Sequence, residues 1–122
     1  MAVETRTKTS PEQLARALVD AASDRKASDI VLLDLRGVTV VSDFFVICTG
    51  TSDRQVATLV RTLTDKAEEM GIGTKRIEGA TDGGWVLIDF EDVIAHVFSP
   101  DQRSFYRLDE LWKEAQPLLM IQ

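Results

Sequence analysis

One cysteine, one histidine and three prolines are all that the 122 residues hold of these types, and each scarcity removes a class of protein. A lone Cys48 cannot close an internal disulfide, so the chain tolerates a reducing compartment and the cytoplasm is its expected location. Metal and nucleophilic sites need partner residues, and the lone His96 and lone Cys48 fall in different apolar segments. No apolar run approaches the roughly 18 residues of a membrane-crossing helix. The opening residues, Met1 to Lys8, carry no apolar leader. A basic stripe is also missing: 14 Lys and Arg are scattered among 20 Asp and Glu, for a net charge of −6. Nucleic-acid binders draw much of their affinity from neutralised phosphates. Arg54 with Arg61, and the pair Lys75-Arg76, are too few for that. A basic protein surface is the better electrostatic match.

Hydrophobic residues make up 44% of the chain, enough for one core in one domain of ordinary size. Ser10-Pro11-Glu12-Gln13, Ser52-Asp53-Arg54-Gln55 and Ser99-Pro100-Asp101-Gln102 share the Ser-x-x-Gln pattern of a helix capping box. Pro11 and Pro100 stand at the first helical position, where a missing N–H costs nothing. The first helix is expected over residues 11–25, with Leu14, Leu18 and Ala21 on one face beside Ala15, Val19 and Ala22. In the second, Val56, Leu59, Val60, Leu63, Ala67 and Met70 recur at helical spacing, and Gly71 supplies a left-handed stop. Two short helices are expected near the C-terminus, the second carrying Leu108, Leu111, Trp112 and Ala115. Ile30 to Leu35 and Phe44 to Cys48 are near-continuous apolar runs that suit strands covered on both faces. A weaker strand is expected at residues 75–78, followed by a flexible turn over Gly79 to Gly84. Trp85 to Phe90 and Val93 to Phe98, separated by Glu91-Asp92, read as a tight hairpin. The expected architecture is therefore an α/β (α+β) domain with a mixed five-stranded sheet, in the order α-β-β-α-β-β-β-α-α. The strands either side of the second helix imply a parallel crossover. Residues 1–9 are expected to be disordered, residues 10–116 to form the domain, and residues 117–122 to be a tail.

For chemistry, the best candidate is Gly50-Thr51-Ser52, where a strand runs into a helix N-terminus whose amides could hold a phosphate. A nucleotidyltransferase would also need alternating carboxylates for Mg²⁺. Asp89 and Glu91 have that spacing, but Glu91 falls in the hairpin turn, and Lys75-Arg76-Ile77-Glu78 offers no Asp-x-Asp pair. No catalytic residue, metal or cofactor is therefore expected. His96 is expected to be a hydrogen-bonded sheet histidine, and Cys48 a packed small hydrophobe. Asp34 and Asp43 interrupt apolar surroundings and call for a turn amide or an arginine as partner. Trp85 follows two glycines and is either a core residue or an interface anchor.

Several segments then fall together. Asp29-Ile30-Val31-Leu32-Leu33-Asp34-Leu35-Arg36, Ser42-Asp43-Phe44-Phe45-Val46-Ile47-Cys48-Thr49-Gly50-Thr51-Ser52, Arg54-Gln55-Val56, Glu78-Gly79 and Trp85-Val86-Leu87-Ile88-Asp89-Phe90 occur in order. They are followed by Asp92 to Phe98, Arg103 to Leu108 and Leu111-Trp112. Together they resemble the ribosomal silencing factor family, also called Iojap-related. The resemblance implies a nucleotidyltransferase-like fold without catalytic carboxylates. It implies binding to the large ribosomal subunit through ribosomal protein L14, a steric block to joining of the small subunit, and repression of translation. It also directs attention to Trp85, Leu87, Asp89 and Phe90 as docking residues, with Glu91 and Asp92 supplying charge. Alternation puts Trp85, Leu87 and Asp89 on one face and Val86, Ile88 and Phe90 on the other, leaving the docking face open. The family usually has Gly-Asp at the hairpin where this chain has Glu91-Asp92, and a primed turn disfavours Glu there. The alternatives are a homodimeric scaffold and a residual nucleotide-binding protein.

Overall fold

In the computed structural model, which describes residues 9–107 and 113–122, all three Ser-x-x-Gln segments open helices. These are α1 (Pro11–Asp24), α2 (Asp53–Glu69) and α3 (Pro100–Tyr106). In each the serine hydroxyl accepts the N–H of the glutamine three residues on, a cap that contributes about 1 kcal/mol. Only the first is a reciprocal box, with the Gln13 side chain accepting from the Ser10 amide at 2.8 Å. At the third, the Ser99 amide already donates to the Gly84 carbonyl, so Gln102 has nothing to reach back for. Helix α2 ends at Met70, and Gly71 follows with φ of 82°, the left-handed geometry that stops a helix.

Six strands complete the fold: β1 (Ser28–Asp34), β2 (Phe44–Thr49), β3 (Arg76–Ala80), β4 (Trp85–Asp89), β5 (Val93–Phe98) and β6 (Gln116–Ile121). They form one mixed sheet in the order β3-β4-β5-β2-β1-β6, in which only the β2–β5 pairing is parallel. The crossover through α2 does return parallel to β2. It does not land beside it, because β5 and β4 intervene and β3 lies at the edge.

Two expectations are corrected. The sheet has six strands rather than five, because Gln116–Ile121 pairs antiparallel with β1 where a tail was expected. The misleading signal is Pro117, which lies opposite Leu33 at a register shift on an edge strand, a setting that tolerates a missing N–H. The stretch over Gly79 to Gly84 is not a loose turn either. Gly79 and Ala80 belong to β3, and Thr81–Gly83 forms a 3-10 turn. Gly79 has φ of 92°, and a Cβ there would run into the carbonyl oxygen of Trp85. Of the second C-terminal helix, expected to carry Leu108, Leu111, Trp112 and Ala115, residues 108–112 lie outside the described residues and residues 113–115 form a turn and bend. Of the lead expected to be disordered over residues 1–9, residues 1–8 lie outside the described residues and the Thr9 hydroxyl donates to the Met70 carbonyl at 3.1 Å.

The sheet buries apolar side chains on both faces. One face carries Ile30, Leu32, Phe44, Val46, Cys48, Val86, Ile88, Val93, Ala95 and Val97 against Leu14, Leu18, Val19, Val56, Leu59 and Leu63 of the two long helices. The other gathers Val31, Leu33, Phe45, Ile47, Ile94 and Phe98, with Ala115 and the half-buried Trp85 and Leu87. This explains the unbroken apolar runs of β1 and β2. Burial holds the Cys48 thiol up at about 12, so it packs as a hydrophobe and is not poised to react.

Candidate docking face

Strand β4 alternates half-buried and buried along its whole length. Val86, Ile88 and, just beyond the strand, Phe90 are no more than 4% exposed and sit in the helix-covered core. Trp85, Leu87 and Asp89 point to the opposite face and are each partly accessible. Of the candidate docking residues on this strand, Trp85, Leu87 and Asp89 therefore keep accessible surface, whereas the Phe90 side chain is sealed beneath the helices.

Among the described residues, Trp85 is held by Phe98 and His96. Its ring stacks on Phe98, directly opposite on β5, at 5.0 Å between centroids. Its indole N–H donates to Nδ1 of His96 at 3.2 Å. His96 is 4% exposed, and desolvation lowers its pKa to about 4, so the imidazole is neutral at physiological pH. It is thus the hydrogen-bonded sheet histidine expected from the sequence, and its bonding partner is Trp85.

Asp89 is committed locally. One carboxylate oxygen accepts the Glu91 N–H at 2.7 Å, and the other lies 3.3 Å from the Arg76 guanidinium. Glu91 points elsewhere, to the Lys75 ammonium at 3.7 Å. The alternating pair therefore does not converge, and among the described residues no group of three His, Cys, Asp or Glu could hold a metal ion. Asp34 takes both partners foreseen for it, the Arg36 backbone N–H at 3.0 Å and the guanidinium through both oxygens at 2.9 and 2.7 Å. That side-chain bond holds its pKa below the usual carboxylate value.

The strand-to-helix turn at Gly50-Thr51-Ser52 is filled by the chain itself. The Thr51 N–H and hydroxyl donate to the Gln55 side-chain oxygen at 2.6 and 2.9 Å, and the Gln55 N–H is bound to the Ser52 hydroxyl. The Gln55 amide nitrogen in turn donates to the Arg25 and Lys26 carbonyls. A phosphate would have to displace this network.

The hairpin turn brings β4 back into β5 through Glu91 and Asp92. Phe90 N–H donates to the Val93 carbonyl at 2.9 Å, and Glu91 takes φ of 85° while Asp92 does not share the positive φ. Positive φ at the first central residue alone marks a II′-like turn, which favours Gly there. The Asp92 carbonyl accepts from the Ser42 hydroxyl and from the Asp43 and Phe44 amides, which anchors the turn to the start of β2. Glu91→Gly is expected to raise stability by about 1 kcal/mol, the relief of left-handed strain less the added freedom of the unfolded chain. A urea midpoint that fails to rise would show that Asp89 and Lys75 compensate for the strain.

Residues that sequence reasoning missed come from β3. The register sets Glu78 opposite Leu87, Arg76 opposite Asp89 and Ala80 opposite Trp85, so these exposed side chains share the Trp85 face. Nothing in the sequence sets that register, and a one-residue slip would have brought Ile77 there instead.

The protein family model described as "Ribosomal silencing factor during starvation" matches residues 7–121. The ribosomal silencing factor RsfS of Bacillus subtilis is 46% identical over 95 residues, covering 78% of this chain and 80% of its own. The chloroplastic protein Iojap of Zea mays is 36% identical, covering 85% of this chain and 45% of its own. Among solved structures, a protein of Chromobacterium violaceum superposes with a TM-score of 0.81 at 33% identity, covering 85% of this chain and 87% of its own.

Proposed function

Because the chain belongs to the ribosomal silencing factor family, we propose that it binds the large ribosomal subunit and keeps the small subunit from joining. The docking partner in this reading is ribosomal protein L14, and the mechanism is steric, with no bond made or broken. The observation that supports it most is the asymmetry of β4, where Trp85 and Leu87 are left partly accessible on the sheet face opposite the helices. Tryptophan is among the residues enriched at interface hot spots. The surrounding charges are Glu78, Asp89, Glu91 and Asp92 against Lys75 and Arg76, so the rim is acidic. Such a rim suits a basic protein on an RNA-rich particle and repels bare RNA. Asp89 serves chiefly by holding Arg76 and the turn in place. Glu91 and Asp92, both exposed, are the carboxylates with surface to offer.

Sedimentation of purified ribosomal subunits with the protein tests this directly. The protein is expected to travel with the large subunit and to reduce the joined particle in proportion to its occupancy. Joining that proceeds unchanged while the protein stays at the top of the gradient would refute the reading. Self-association without subunit binding would favour a homodimeric scaffold.

A further inference from the structure

Trp85 and His96 are diagonal neighbours across β4 and β5, on one face, since the register sets Leu87 opposite His96 and Phe98 opposite Trp85. The indole N–H donates to His96 Nδ1 at 3.2 Å. An accepting Nδ1 carries no proton, so the proton of the neutral ring sits on Nε2. Nε2 is buried and, among the described residues, has no hydrogen-bond partner. An orphan donor in a core opposes folding, and a hydrocarbon side chain at position 96 would avoid it. What the imidazole supplies in exchange, and a hydrocarbon cannot, is the acceptor for Trp85. The ring that accepts is itself held firmly: Phe45 meets it edge-on at 4.6 Å, and Phe98 lies nearly parallel to it at 6.2 Å.

We propose that His96 is a positioning residue of the docking face, its Nδ1 latching the Trp85 indole in one orientation so that a partner meets a preformed anchor. This rests on the reading that Trp85 docks on the large subunit. Phe98 provides the surface on which the indole lies, and His96 sets its rotation within that plane. Fixing the side chain before encounter spares the ordering cost that a free rotamer would incur on binding.

The test compares His96→Phe and His96→Asn with the wild type in three measurements: thermal melting, the indole N–H signals in ¹⁵N-resolved NMR, and affinity for purified large subunits. Trp85→Phe identifies which indole signal belongs to Trp85. His96→Phe is expected to melt no lower than the wild type, because the orphan donor is gone. Its Trp85 indole N–H is expected to shift and to exchange faster with water, and its affinity to fall about fivefold. Asn places a carbonyl oxygen close to where Nδ1 stands, so His96→Asn should restore the indole signal and most of the affinity. Undiminished affinity in His96→Phe overturns the proposal. So does a loss of affinity matched by lower melting with the indole signal unmoved, which is the mark of a purely structural histidine. A wild-type chain that never binds the subunit overturns the docking reading, and this role with it; that result is distinct from a wild type that binds and a His96→Phe variant that binds equally well.

Discussion

Deleting residues 116–122 is expected to lower stability by about 3 to 5 kcal/mol, a large share of the roughly 5 to 15 kcal/mol that holds a domain of this size together. Strand β6 pairs with β1 from Ile30 to Asp34, and Leu118 and Leu119 pack against the helix-covered core. Without it, a row of backbone donors and acceptors beside Ile30 and Leu32, both fully buried, is opened to solvent. Such an edge recruits other strands, so the shortened chain is expected to aggregate at concentrations where the full chain stays dispersed. Urea titration followed by circular dichroism, with light scattering at the same concentration, would measure both effects. An unchanged midpoint would mean that β6 adds no net stability to the sheet.

The second large effect is expected from Trp85→Ala, which should weaken binding to the large subunit at least about tenfold. The same change removes a half-buried indole from Phe98 and its bond to His96. A fully buried tryptophan costs about 3 to 5 kcal/mol on truncation, and at this half-exposed position about 1 to 3 kcal/mol is expected. The variant should therefore fold, with a lower midpoint, and binding must be measured well below its melting temperature. Trp85→Phe separates the contributions, since it keeps the stacking surface and loses the N–H. If Trp85→Ala unfolds the chain outright, Trp85 is a core residue and the docking face lies elsewhere. If it folds and binds normally, the anchor is Leu87 or the acidic rim.

Local chemistry carried much of the fold in the sequence. The serine caps, the prolines behind two of them, the apolar periodicity of α2 and the stop at Gly71 depend on residues a few positions apart, and each lies where that chemistry requires. What could not be read depends on pairings between distant segments. The strand at residues 116–121 has no period of its own, and only β1 beside it makes Leu118 and Leu119 worth ordering. The return of the chain after α2 to an edge, rather than to the side of β2, follows from the β4–β5 hairpin claiming the central place. At the candidate site, the sequence singled out Trp85 and Leu87 as candidates, but the sheet face they occupy was not legible. That face is set by the two long helices, which cover the other side and take Phe90 with it. The His96 latch was half legible: a hydrogen-bonded histidine was expected, but its partner depends on the hairpin register.

The pairing of the last strand with the first has a consequence in time. In a chain emerging from the ribosome, β1 appears some 80 residues before residues 116–121 are made. Strands β1 and β2 can meet early, and β5 can join β2 once it has emerged, so the sheet can grow outward from its parallel centre. The place along β1 is filled by β6, the most C-terminal of the described strands. From the emergence of β1 until residues 116–121 are made, the nascent chain therefore carries an open edge beside buried apolar side chains, and the synthesis of β6 closes it.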